Sequence, residues 1–217
     1  MKKILVSLAL FLIVTVSAQD ALKEGVIISK QTMSSDNEQM KAQFEMMGEM
    51  LSTTYFKDTK SRSELANPMT GNVTTISDTE THEVLVLMDN PMYGKKYMLQ
   101  KNEVTEEQIK NIDVVAGDEI KTVLGYECKQ YTVKINQSGV EMKMELFTTE
   151  AIPVVSQQTA ILGDKLKGFP LYMTMDMNQM GSMMTVTTEV TEIKKEKVSD
   201  DKFDMTPPEG YEKRAGQ

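Results

Sequence analysis

The segment LYMTMDMNQMGSMMTVTTEVTE, residues 171–192, decides the fold of this chain. Apolar and polar side chains alternate on both sides of Gly181. Such alternation is typical of a strand with one buried and one solvated face, and a glycine between two such runs indicates a hairpin turn. The segment therefore predicts an antiparallel hairpin in which Met173, Met175 and Met177 share one face.

The same pattern continues outward along the chain and predicts about ten short strands. The runs lie at 25–33, 53–58, 60–66, 73–77, 83–89, 96–100, 122–124, 126–135, 140–148, 171–177 and 184–192. Residues 34–51 break the pattern, because Met40, Phe44 and Met47 recur at helical spacing after two serines that could cap a helix. A second short helix is predicted at 104–112, and a helical turn or a loop packed over the sheet at 157–166.

The first eighteen residues have the organisation of a cleavable secretion signal. Lys2 and Lys3 precede an apolar run at 4–16, and the small residues Ser17 and Ala18 follow it. The run is shorter than the roughly 20 apolar residues that span a bilayer. We therefore expect a signal peptide at 1–18, then one domain at 19–217 with an extended C-terminal tail, in a periplasmic or extracellular protein that is not integral to the membrane.

Charge and composition exclude several functional classes. The formal net charge is −8, and removal of the signal's two lysines would make it −10, which disfavours nucleic-acid binding. Cys128 is the only cysteine and His82 the only histidine, so neither a disulfide nor a catalytic cysteine–histidine pair is expected from their placement. No phosphate-binding loop, serine elbow or zinc-protease motif occurs in the sequence. We predict no enzymatic activity, no cofactor and no metal.

Methionine is the unusual component, with 19 residues in 217. Three interpretations compete. Methionine fills irregular gaps in an ordinary core, or it lines an adaptable apolar cavity for an acyl chain, or its thioethers bind Cu(I). The strand pattern places Met142 and Met144 on one face, as it does the three methionines of 171–177.

Several segments, in order, resemble a family of exported bacterial proteins defined as a domain of unknown function. They include Glu24-Gly25-Val26-Ile27-Ile28, Tyr55-Phe56-Lys57, Gly125-Tyr126-Glu127-Cys128 and Thr206-Pro207-Pro208-Glu209-Gly210-Tyr211. The order of elements is also remotely similar to that of the periplasmic lipoprotein carriers and their outer-membrane receptors. That resemblance implies a half-closed antiparallel barrel with helices across its opening and an apolar cavity that accepts acyl chains.

The sequence thus predicts an α+β fold with a large curved antiparallel sheet, a half-barrel, and one or two helices over its concave face. The predicted function is non-catalytic binding of a lipid or lipidated protein in a methionine-rich cavity. The alternatives are a Cu(I)-handling protein and a protein–protein interaction module of the cell envelope. The predicted ligand-binding residues are Met142, Met144, Met173, Met175 and Met177, with Met40, Phe44 and Met47 of the first helix as a lid.

Overall fold

A computed structural model describes residues 21–67, 71–101, 105–137, 140–179 and 181–214. The predicted signal peptide lies outside these residues. The described strands are β1 (Glu24–Ser35), β2 (Met50–Lys57), β3 (Lys60–Asn67), β4 (Gly71–Asp78), β5 (Glu83–Asn90), β6 (Gly94–Lys101), β7 (Ile112–Val123), β8 (Tyr126–Gln137), β9 (Val140–Thr149), β10 (Phe169–Gln179), β11 (Ser182–Lys194) and β12 (Glu212–Lys213). The helices are α1 (Glu38–Met47), α2 (Glu106–Ile109) and two 3-10 helices at Ala160–Lys165 and Asp200–Phe203.

The strands form a single curved, open sheet in the order β12-β6-β5-β4-β3-β2-β1-β11-β10-β9-β8-β7. Strand β1 joins two arms, because it pairs with β2 on one side and with β11 on the other. All neighbouring strands are antiparallel except β12 and β6. The register shifts at Ile28/Ser29, Ala116/Ile120 and Pro170/Tyr172, and such bulges bend a strand and increase its twist.

Cross-strand partners define the two faces of the sheet, since residues directly opposite each other point to the same side. Met173 lies opposite Thr188, and Thr188 lies opposite Gln31. We call this the inner face. Residues 150–168, the cover segment, lie across it, because their Leu162 packs in a buried cluster with Met173 and their Gln158 contacts Thr188.

The opposite, outer face is covered by the C-terminal segment. Val198 and Phe203 pack in a buried cluster with Ile76, Leu85 and neighbouring apolar residues of the β2–β6 arm. The Lys57 ammonium donates to Asp200 at 2.7 Å, and Arg62 donates to the Lys202 carbonyl at 3.3 Å. The sheet is therefore held between two non-strand segments, one on each face.

The N-cap of helix α1 is Asn37, which lies two residues after Ser35 and three after Ser34, the two predicted caps. The Asn37 side chain accepts from the backbone N–H groups of Gln39 and Met40, and Gly48, with a φ of 66°, ends the helix. Ser35 remains in β1, where its hydroxyl donates to the Met183 carbonyl at 2.9 Å.

The predicted fold class is confirmed, with twelve described strands where about ten were expected. The largest difference is β7, which was predicted only from residue 122. This edge strand is interrupted by the bulge between Ala116 and Ile120, and most of its side chains are exposed, so it lacks a regular alternation. No helix among the described residues is long and apolar enough to cross a membrane.

Candidate ligand-binding site

The five predicted strand methionines lie together on the inner face. Met175 lies opposite Met144, Met177 lies opposite Met142, and Met173 lies opposite Leu146. The period-2 pattern of the sequence is sufficient to place these residues on one face, because side chains alternate strictly along a strand. The prediction that the strands bring them together is confirmed.

These methionines are mostly packed against the protein's own side chains. Met144 and Met173 are 3% and 1% exposed, in a cluster with Leu162 of the cover segment. Met142 and Met175 are partly buried against the same cluster, and Met177 is half-buried. This part of the inner face is a filled core, and none of the cavities described below is lined by these five side chains.

Helix α1 does not supply the cover. None of its residues is buried, and its main packing partner is β1. Met40 and Met47 are half-buried at hydrogen-bonding distance from Ser35 and Asn67, whose side chains donate to the two sulfur atoms at 4.0 and 3.9 Å. Phe44 is also half-buried and lines none of these cavities. The expectation that α1 is the lid is corrected, since the cover segment occupies that place.

A cleft of about 750 Å³ lies between the cover segment, α2 and the β4–β5 turn. Its apolar wall is formed by side chains of β5, α2 and the cover segment. These are Val84 from β5, Ile109 from α2, and Val155, Ala160 and Leu166 from the cover segment. Val84 is 8% exposed, whereas Val155 is 43% exposed. The cleft thus presents apolar surface that the protein does not itself cover.

Polar side chains also line this cleft. Asp78, His82, Asp164 and Lys165 are among them, and His82 is exposed with a φ of 59° in the β4–β5 turn. Lys165 is already engaged, because its ammonium donates to the carbonyls of Ile109 and Ile112 at 2.8 and 2.7 Å. In the described part of the chain the His82 side chain makes no hydrogen bond.

Two further contacts fix the cover segment over the inner face. The Gln157 amide donates to the Ser77 hydroxyl at 2.7 Å, and that hydroxyl lies 2.9 Å from the Ser61 hydroxyl. Thr148 in β9 donates to the Lys167 carbonyl at 2.7 Å. The cover is therefore attached to both arms of the sheet, and the shape of the cleft depends on these bonds.

Among the described residues, the candidates for metal or nucleophile chemistry are the side chains that could bind a metal ion and the Cys128 thiol. The structure describes no group of three or more His, Cys, Asp or Glu side chains that could hold a metal ion. Cys128 is fully buried, and burial raises the pKa of its thiol from 9.0 to about 11. A buried thiol in this state is a packing residue.

Sequence reasoning missed the residues of the cleft. Val155, Ala160 and Leu166 lie in a segment with no regular period, and Ile109 lies in a helix of four residues. The sequence does predict a helical turn or a loop packed over the sheet at 157–166. That prediction identifies the segment, but it does not identify the side chains that face the cleft.

No family model and no curated protein matches the chain, so the resemblance to the domain of unknown function remains a prediction. Among solved structures, PNGF-II is similar at 17% identity and a TM-score of 0.52, over 88% of this chain. This chain spans 31% of PNGF-II. MucB matches at 8% identity and a TM-score of 0.43, over 89% of this chain and 60% of MucB. The lipoprotein LppX of Mycobacterium tuberculosis matches at 6% identity and a TM-score of 0.29, over 77% of this chain and 86% of LppX. These likenesses concern the fold.

Proposed function

We propose that this protein binds the apolar chain of a lipid or lipidated protein in the cleft beneath its cover segment. The observation that carries the proposal is the 750 Å³ space lined by Val84, Ile109, Val155, Ala160 and Leu166. Ligand pockets commonly enclose roughly 300–1,000 Å³ and are lined mainly by apolar side chains with a few polar groups. The proposal moves the site of the predicted function from the methionine cluster to this cleft.

The driving force would be removal of apolar surface from water, worth about 25 cal/mol for each Å². The cover segment supplies exposed apolar side chains, of which Val155 is 43% exposed. An acyl chain seated there would shield Val155 while contacting the buried Val84 side chain beneath it.

We propose a binding role rather than a catalytic one. A histidine acting as a base is normally oriented by a second group and placed beside a nucleophile or a substrate proton. His82 lines the cleft but makes no side-chain hydrogen bond within the described ranges. This arrangement supports binding without chemistry.

The test fills the cleft with the protein's own atoms. Ala160→Phe places a ring at the cleft wall, and we expect it to weaken binding of a fluorescent C18 fatty acid by about tenfold or more, because the volume and apolar contact are lost. The matched control is Ala42→Phe, which makes the same change at an exposed position of α1. Fluorescence titration measures both affinities.

Two results would contradict this assignment. One is unchanged affinity in Ala160→Phe with a fold preserved by circular dichroism. The other is absence of saturable binding by the unmodified protein at micromolar fatty acid, together with no lipid in native mass spectra of protein purified from its own host.

A further inference from the structure

The inner face has a second half that differs chemically from the methionine half. On β2, β3 and β4 the side chains that point inward are largely hydroxyls, with Ser52, Ser63, Thr75 and Ser77 as examples. The register shows that they form continuous rows, since Thr54 lies opposite Ser63 and Ser63 lies opposite Thr75. Such a polar inner face is unusual beneath a segment that covers it.

A cavity of about 170 Å³ lies between these rows and the cover segment. We call it the hydroxyl pocket. Its wall includes Ser29, Gln31 and Thr75 from the sheet and Gln158 from the cover segment, and no Asp, Glu, Lys, Arg or His side chain lines it. Val155 and Gln157 line both this pocket and the apolar cleft, so the two spaces are adjacent.

The pocket contains hydroxyls that the protein leaves without a partner. Ser29 is buried and Ser52 and Thr75 are half-buried, and none of the three hydroxyls makes a side-chain hydrogen bond in the described part of the chain. By contrast, Thr54 bonds to Ser63, and Ser61 bonds to Ser77. Hydroxyls that line a cavity without a protein partner are available to donate and accept hydrogen bonds with an occupant.

The absence of ionisable side chains around the pocket restricts that occupant. A phosphate or carboxylate would be expected to meet Arg or Lys, and an ammonium to meet a carboxylate, because an unpaired ion is costly to bury. Hydroxyl groups each donate one hydrogen bond and accept others, which matches the hydroxyls of a polyol.

We propose that the hydroxyl pocket binds an uncharged polyhydroxyl group, as found in a glycosyl headgroup or a free saccharide. If the apolar cleft holds an acyl chain, which rests on the proposed function above, the adjacent pocket makes the preferred ligand a neutral glycolipid. The chain and the headgroup would then be bound on either side of Val155 and Gln157.

The experiment compares probes that share one alkyl chain. Decyl β-D-glucoside, decylphosphocholine and decyltrimethylammonium are titrated below their micellar concentrations by calorimetry, with methyl β-D-glucoside as the chain-free probe. We expect the decyl glucoside to bind about tenfold more tightly than the charged-headgroup probes. The double variant Ser29→Ala/Thr75→Val should weaken glucoside binding by about tenfold and leave decylphosphocholine binding unchanged.

The matched control is Thr53→Val/Thr74→Val. These threonines lie on the neighbouring strand positions of the outer face, opposite Ile28 and Leu87, and should not affect either affinity. Chemical shifts of the backbone amides check that each variant is folded and map where the glucoside binds.

The outcomes separate the two proposals. Equal binding of all three decyl probes, unaffected by the pocket variant, overturns the polyol assignment and leaves acyl binding intact. Pocket-dependent binding of methyl glucoside without any gain from the decyl chain supports the polyol site as a saccharide site and contradicts the acyl cleft. If no neutral glucoside binds, water is the only occupant and the inference is wrong.

Discussion

Cys128 shows how the environment of one residue determines its chemistry. Its side chain is fully buried, and it packs in a cluster with Ile27, Phe56 and Phe147. The thiol donates to the Tyr126 carbonyl at 3.6 Å. Burial, which disfavours the thiolate, is the main reason that its pKa is raised to about 11.

The raised pKa predicts a loss of stability in alkali. Between pH 9 and 11 the unfolded chain releases the thiol proton while the folded chain retains it, so the free energy of unfolding falls as pH rises. Below pH 9 the contribution is fully present, and at pH 10.5 about 2 kcal/mol of it should be lost. Urea unfolding of the unmodified protein and of Cys128→Ala at pH 7.5 and 10.5 measures this.

The comparison with Cys128→Ala cancels the titration of lysines and tyrosines, which both proteins share. We expect the stability advantage of the unmodified protein over the variant to shrink at the higher pH. A constant difference between the two proteins would show that the thiol does not titrate differently in the folded and unfolded states.

At the scale of elements, the cover segment is the part whose position depends on individual side-chain bonds. The Lys165 ammonium joins the 3-10 helix at Ala160–Lys165 to the end of α2 and the start of β7, through the carbonyls of Ile109 and Ile112 respectively. A four-residue helix such as α2 cannot be stable alone, because helix nucleation is unfavourable. Its position beside the cleft therefore depends on this lysine and on the Thr105 capping box.

Removing the lysine's charge should loosen this side of the cleft. Lys165→Met keeps much of the aliphatic chain but deletes both hydrogen bonds, and we expect about 1–2 kcal/mol of destabilisation. Hydrogen exchange at the Ile109 amide should become faster. Lys167→Met is the control, because the Lys167 side chain makes no ion pair or hydrogen bond within the described residues. Equal exchange in the two variants would contradict the role assigned to Lys165.

The strands and their faces were predictable from the sequence, whereas the route of the cover segment was not. Alternation is a local property, so residues 171–177 and 140–148 already place their methionines on one face. Val155 and Gln157 reach the inner face through contacts with strands more than 30 residues away in sequence, such as the bond from Gln157 to Ser77. No local pattern encodes such a contact, and this is why the methionines were assigned to a cavity that other residues line.

At the scale of the whole molecule, the two faces of the sheet are covered to different extents. The outer face is closed by Phe203, Val198 and their neighbours, with ion pairs at the margin. The inner face is closed only in part, over the methionine cluster, and it leaves the cleft and the hydroxyl pocket open. Both faces thus carry buried clusters, and both open spaces lie on the inner face, so variants of these pockets can be made without removing the outer core.

A binding protein of this kind would act where its lipid is found, and we propose that the chain is exported with removal of residues 1–18. A single buried thiol suits an oxidising compartment, because the folded protein offers no accessible cysteine for a mixed disulfide. Signal cleavage requires a small residue immediately before the cut, whereas the preceding position tolerates larger side chains.

Full-length protein expressed in a Gram-negative host should therefore be recovered from the periplasm or the medium. N-terminal sequencing should identify Gln19 as its first residue. Ala18→Leu should block processing and leave an unprocessed form associated with the membrane, because the residue before the cut is no longer small. Ser17→Leu makes a comparable change one position earlier and should still be cut at Gln19. Recovery of the unmodified protein from the cytoplasm with residues 2–18 intact would contradict export, and processing of Ala18→Leu at Gln19 would contradict the assigned cleavage position.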